Sequence, residues 1–254
     1  MNQKLPELPA IKGLFVTGTD TDVGKTQVAA GLTAALRGQG IKAGYLKPVQ
    51  SGCPEAGGRL IPTDARVAQK LAKLPEPLEL LTPITLRLPL APGVAAAREG
   101  IKVDLERVAA VFRELASRYD FLVVEGAGGL YVPLVDTNFL VLDLARWLKL
   151  PLLVVAKAGL GTINHTALTV LAARQAGLPV AGVIFNRCSA NPGLAEQTNP
   201  EVIEALTGVP ILGKVPEISD LDSSNGRNIF LSFMDVICAQ ADFFKTLPEK
   251  SGGS

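Results

Sequence analysis

The segment from Phe15 to Thr26, FVTGTDTDVGKT, constrains this chain more than any other. An apolar run from Gly13 to Val16 enters a Gly/Thr/Asp loop that closes on Gly24-Lys25-Thr26. Helix-compatible residues follow at once: Gln27, Val28, Ala29 and Ala30. Strand, glycine-bearing loop and helix N-terminus, in that order, are the parts of a phosphate-binding loop. Backbone N–H groups and the positive end of the helix dipole then face the anion. Lys25 is expected to reach β/γ-phosphate oxygens, and the Thr26 hydroxyl to ligate Mg²⁺. The spacing departs from G-x-x-x-x-G-K-[ST], because Thr19 stands where glycine is required and Gly18 lies one residue further back.

Apolar, β-rich runs alternate with helical periodicity along nearly the whole chain. Strands are expected at 13–17, 43–47, 121–125, 152–156, 180–185 and 211–215. Helices are expected at 25–37, 64–74, 104–117, 138–148, 162–176 and 200–207. Runs such as FLVVEG, LLVVAK and VAGVIF are almost purely apolar, as strands covered on both faces are. The expected fold class is α/β: a single-domain P-loop NTPase-type fold, its mostly parallel sheet flanked by helices on both faces. The expected core is about 11–218, with a C-terminal helical segment at 219–245 and a flexible tail at 246–254. Within it, 229–245 (IFLSFMDVICAQADFFK) carries one Lys and reads as a core-packing helix. A domain of 254 residues buries roughly three quarters of its unfolded surface.

Lys+Arg 25 against Asp+Glu 24 leaves no basic excess to draw the chain to nucleic acid or anionic lipid. The N-terminal MNQKLPELPAIKG has no apolar signal core, and no apolar run reaches the roughly 20 residues of a membrane helix. With three scattered cysteines, Cys53, Cys188 and Cys238, the expectation is a cytoplasmic protein with no membrane partner. The single histidine, His165, excludes a His-rich metal site.

In a parallel sheet, ligands bind beyond the carboxyl ends of the strands, and the residues there are polar. They are Lys47-Pro48-Val49-Gln50-Ser51-Gly52, Glu125-Gly126-Ala127-Gly128-Gly129, Lys157 followed by Gly161-Thr162-Ile163-Asn164-His165, and Asn186-Arg187. One site could thus hold a phosphate loop, two lysines and carboxylates. Asp64 admits two roles, because Thr63-Asp64 could also cap the helix that follows.

GTDTDVGKT, KPVQSG, EGAGGLYVPL and GTINHTALT occur in the order and spacing of dethiobiotin synthetase, and the chain resembles that family from about Gly13 to Ile218. The resemblance implies an ATP-dependent enzyme that carboxylates 7,8-diaminopelargonate with CO2 and closes the ureido ring of dethiobiotin. It proceeds through a carbamate and a carbamic–phosphoric anhydride, releasing ADP and phosphate. Lys47 matches the catalytic lysine, with Lys25 assisting from the phosphate side. Thr21, Ser51 and Asn164 match substrate-binding positions, and Thr26, Asp64 and Glu125 the Mg²⁺ ligands. The implied nucleotide contacts are Asp22, Val23, Gly24, Lys25, Thr26, Gln27, Asp64, Glu125, Gly126, Ala127 and Gly128, with adenine near Asn186, Arg187, Val215, Pro216 and Glu217. The helix carrying Asn164 and His165 comes from a partner subunit in that family, which implies a homodimer. For His165 itself a structural hydrogen bond is expected. Pro92-Gly93 departs from the Pro-His of many relatives.

Two other readings share the core. Partition-type and division-site ATPases carry a further lysine early in the loop, where this chain has Asp20. A cobyrinic-acid amide synthetase needs an appended glutamine-hydrolysing domain, for which the chain is too short. A nucleotide-binding module without catalysis is a third.

Overall fold

The computed structural model describes residues 5–218 and 220–240. Six strands form the main sheet: β1 (Lys12–Gly18), β2 (Ala43–Leu46), β3 (Phe121–Glu125), β4 (Leu152–Lys157), β5 (Val180–Cys188) and β6 (Ile211–Pro216). Their order is β6-β5-β4-β1-β3-β2, and every pairing is parallel. The helices are α1 (Lys25–Gly38), α2 (Thr63–Ala72), α3 (Leu78–Leu81), α4 (Pro92–Glu99), α5 (Leu105–Arg118), α6 (Val141–Leu148), α7 (Thr162–Gln175), α8 (Leu194–Thr207) and α9 (Ser224–Gln240).

Successive side chains of a strand point to opposite faces, and both faces here are apolar. Leu14 and Val16 of β1 pack with α1, α2 and α9, whereas Phe15 packs with α4, α5 and α6. Val154 and Ala156 of β4 join α7 and α8. The strand runs lack polar alternation because neither face meets water. Helix α9 closes on α1 at Gly31, where a Cβ would lie 2.6 Å from Phe230 and 2.7 Å from Met234. Residues 241–245 of the expected C-terminal helical segment and the expected tail at 246–254 lie outside the described residues.

Of the six helices expected before the C-terminal segment, two start three or more residues from expectation. Helix α6 begins at Val141, not 138, because Phe139–Leu140 pairs antiparallel with Pro133–Asp136. Asp143 Oδ2 then accepts from Leu140 N at 2.8 Å and fixes the start. Helix α8 begins at Leu194, six residues before the expected start, and carries Pro200 inside it. Its early turns are held from outside the helix: Asn199 Nδ2 donates to Ala158 O (2.8 Å) and Gly159 O (3.1 Å).

Candidate active site

The carboxyl ends of β1, β2 and β3 open on a cleft of about 900 Å³, a size that suits a nucleotide with a small substrate. Val16 pairs with Glu125, so the last residue of β3 stands beside the loop that leaves β1. Gly18 tolerates no side chain, since a Cβ there would lie 2.8 Å from Asp20 O and from Val23 Cγ2. The loop turns through left-handed conformations at Asp22 (φ 58°) and Gly24 (φ 90°). Helix α1 then starts with no side chain bonded to its first amides. Helix α5 shows the contrast: Asp104 Oδ1 accepts from Glu106 N (2.9 Å) and Arg107 N (3.2 Å). The opening amides of α1 are therefore left to an anion, at the positive end of the dipole.

Lys25 Nζ donates to Asp20 O at 2.9 Å. Burial holds its pKa below the ordinary lysine value despite Glu125 nearby, and Lys47 pushes it the same way.

Glu125, its side chain fully buried, is the hub of the site. Its Oε1 accepts from Thr26 Oγ1 (2.8 Å) and Lys47 Nζ (2.6 Å), and its Oε2 from Tyr45 OH (2.6 Å). Lys47 also pairs with Asp64 Oδ2. Burial alone would depress Lys47, but Glu125 and Asp64 outweigh it and raise its pKa. The ammonium is thus held by two carboxylates, and the Thr26 hydroxyl donates to the same Glu125 oxygen, so one hydroxyl and two carboxylates lie around one point. Such hard oxygen donors suit Mg²⁺, which completes its octahedron with phosphate and water; the donor set fits that ion.

Asp64 lies in the first turn of α2, whose N-cap position is Pro62. It turns to Lys47 instead of capping its own helix, which corrects the capping alternative. Gln50 sets its place: Nε2 donates to Thr63 Oγ1 (2.8 Å), and Oε1 accepts from Asp64 N (3.1 Å).

Of the other expected residues, Thr21, Asp22, Gly24, Gln27, Ser51, Ala127, Gly128 and Arg187 line the same cleft. Val23 and Val215 are buried in the core, and Gly126 is turned inward, where a Cβ would lie 2.9 Å from Phe15. Pro216 ends β6, and Glu217 N donates to Cys188 O at 2.9 Å; neither residue lines the cleft. Asn186 braces the loop from beneath, its Nδ2 donating to Val23 O (3.1 Å) and Gln27 Oε1 (3.2 Å). Both donors are thereby engaged, and the buried Asn186 does not line the cleft. Asn164 is exposed on α7 and outside the cleft of its own chain. His165 is exposed, and its ring makes no hydrogen bond within the described residues, which corrects the expected structural bond.

Sequence reasoning missed Tyr45, which reads as an ordinary strand aromatic. It also left Gln50 unassigned, although Gln50 sits within the polar run after β2. The far wall, with Leu90, Leu221 and Arg227, carried no signal.

A family model described as "AAA domain" matches residues 12–225. The ATP-dependent dethiobiotin synthetase BioD of Bacillus licheniformis is 42% identical over 226 residues, covering 89% of this chain and 94% of that protein. The synthetase of the same name from Anaeromyxobacter sp. is 49% identical over 199 residues, 78% of this chain and 86% of that one. The chain belongs to the dethiobiotin synthetase family. Its fold extends more widely. The septum site-determining protein MinD from Pyrococcus horikoshii OT3, complexed with Mg-ADP, matches with a TM-score of 0.55 at 18% identity, covering 93% and 98% of the two chains. At that identity the likeness concerns the fold alone, a mostly parallel sheet flanked by helices.

Proposed function

We propose that this chain makes dethiobiotin from 7,8-diaminopelargonate, CO2 and ATP. CO2 adds to one amine and gives a carbamate. A carbamate oxygen attacks the γ-phosphorus of ATP and expels ADP. The second amine then attacks the anhydride carbon, phosphate leaves, and the ureido ring closes with loss of a proton. None of these steps needs a protein nucleophile; each needs fixed positive charge beside anions.

The observation that carries this reading is Lys47, buried and paired with Glu125 and Asp64 in the cleft that Lys25 also lines. Lys47 stabilises charge as it passes from carbamate to γ-phosphate, and Lys25 with the α1 amides holds the phosphates. Asp22, Gly24, Gln27, Ala127 and Gly128 complete the phosphate cradle, with Val23 and Gly126 fixing its shape from behind. Arg187 and the segment of Asn186, Val215, Pro216 and Glu217 serve the adenine end. Ser51 and Thr21 receive the amine or carbamate. Thr26, Asp64 and Glu125 hold Mg²⁺, which neutralises phosphate charge when bound.

Asn164 serves a partner's site in a homodimer: the α7 surface beside it exposes Leu168 (56%) and Leu171 (52%), and a fully active monomer in sedimentation would contradict this. The chain works in the cytoplasm; no described helix is long and apolar enough to cross a membrane. The experiment is oxygen transfer. With ¹⁸O-labelled bicarbonate pre-equilibrated with CO2, one labelled carbamate oxygen should appear in the released phosphate. Unlabelled phosphate would rule out the anhydride.

A further inference from the structure

Tyr45 lies in β2 with no exposed surface, packed on the side of the sheet that carries α1 and α2. A buried phenol hydroxyl is costly unless it is bonded. Its bond goes to one atom, Glu125 Oε2, at 2.6 Å. The other donors at this carboxylate, Thr26 and Lys47, both reach Oε1. Glu125 therefore has two unlike ends, one tied to the scaffold and one facing the cleft. Phenylalanine would fill the same space in the core but leave both oxygens free to turn.

Resting on the metal role given above to Thr26, Asp64 and Glu125, we infer that Tyr45 is a positioning residue that makes Glu125 a one-oxygen ligand and so favours Mg²⁺ over Ca²⁺. Mg²⁺ demands near-octahedral geometry, and each single oxygen fills one corner at about 2.0–2.1 Å. Ca²⁺ takes six to eight oxygens at about 2.3–2.6 Å and readily accepts both oxygens of one carboxylate. With Oε2 held by the phenol, the bidentate mode that would enlarge the coordination number is denied. Hydrogen bonds behind metal ligands orient them in this way and alter affinity by about 10–100-fold when removed. Tyr45 does not line the cleft and acts only through Glu125.

The test uses the full chain with ADP and Mn²⁺, free Mn²⁺ being followed by its paramagnetic resonance while Mg²⁺ or Ca²⁺ displaces the bound ion. In the unsubstituted protein Mg²⁺ should displace Mn²⁺ at lower concentration than Ca²⁺ does. In Tyr45→Phe the ratio of the two concentrations should move toward Ca²⁺ by about tenfold. An unchanged ratio overturns the inference, whatever happens to thermal stability, because lost packing alone weakens both ions alike. Glu125→Gln separates the two levels: if it leaves Mn²⁺ binding intact, the metal reading itself fails. A second measurement is independent of how Tyr45→Phe folds. Infrared difference spectra of the unsubstituted protein on adding Mg²⁺ should show the wide carboxylate band separation of one-oxygen ligation, absent in Glu125→Gln. The narrow separation of a chelating carboxylate would overturn the proposal.

Discussion

Removing the charge of Lys47 has two separable consequences, because the same ammonium serves the fold and the reaction. In the ligand-free protein it is the counter-ion of Glu125 and Asp64, and breaking a buried pair from one side costs about 3 kcal/mol. In the proposed reaction it stabilises charge that moves, so its loss belongs to kcat more than to binding. Lys47→Gln is expected to lose kcat by about 10²-fold or more while ATP affinity stays within a few-fold. Its urea midpoint should fall, and Mg²⁺ with ADP should restore more stability to it than to the unsubstituted protein. Steady-state kinetics and chemical unfolding read these effects apart, and near-native kcat would remove Lys47 from the mechanism. Lys25 and Thr26 were legible from the strand, loop and helix start in sequence, and Lys47 and Glu125 because each ends or follows an apolar strand, where a charge has no packing reason to be. Tyr45 was not, since an aromatic within a buried strand looks the same whether its hydroxyl is bonded or not. Asn186 was half legible: its place at the end of β5 could be read, but not that its donors brace the phosphate loop.

At the scale of elements, the junction of loop and α1 decides whether phosphate can bind. Gly24 sits at φ 90°, and a Cβ there would meet Asn186 Nδ2 at 1.9 Å. Gly24→Ala therefore adds both backbone strain and a collision with the residue that braces the loop. The expected result is a stability loss of about 2 kcal/mol or more and loss of nucleotide binding by calorimetry. Unchanged ADP affinity would show that the loop is less constrained than this geometry implies. The six long strands could be read to within a few residues, because a strand covered on both faces leaves a continuous apolar run. The two-residue pairing of Val49–Gln50 with Ile84–Thr85 and the hairpin of Glu55–Ala56 with Arg59–Leu60 could not, since two residues carry no periodicity. Helix α4 was likewise hidden. Gly93, noted in the sequence only as a departure, lets α4 lie against the 133–136 strand, where a Cβ would be 2.8 Å from Val135 O. Pro200 misled for a physical reason: proline favours the first turn of a helix, and the turns before it are held by Asn199, a contact made between distant parts of the chain.

For the whole molecule, the parallel sheet gathers residues from positions 21 to 227 around one cleft, and several of those carrying the proposed chemistry follow the ends of β1, β2 and β3. That convergence was legible once the alternation of strands and helices indicated a parallel sheet, because ligands then lie beyond the carboxyl ends. The wall formed by Leu221 and Arg227 was not, as it depends on how α9 packs back on α1. The same fold occurs in the septum site-determining protein MinD, so the fold leaves the reaction open and the test must follow the product. The decisive measurement incubates the protein with Mg²⁺ and ATP, with and without 7,8-diaminopelargonate and bicarbonate, and quantifies ADP and dethiobiotin together. ADP release should rise only when both substrates are present, with one dethiobiotin formed per ADP. ATP consumption that ignores the diamine, or proceeds without dethiobiotin, would contradict it.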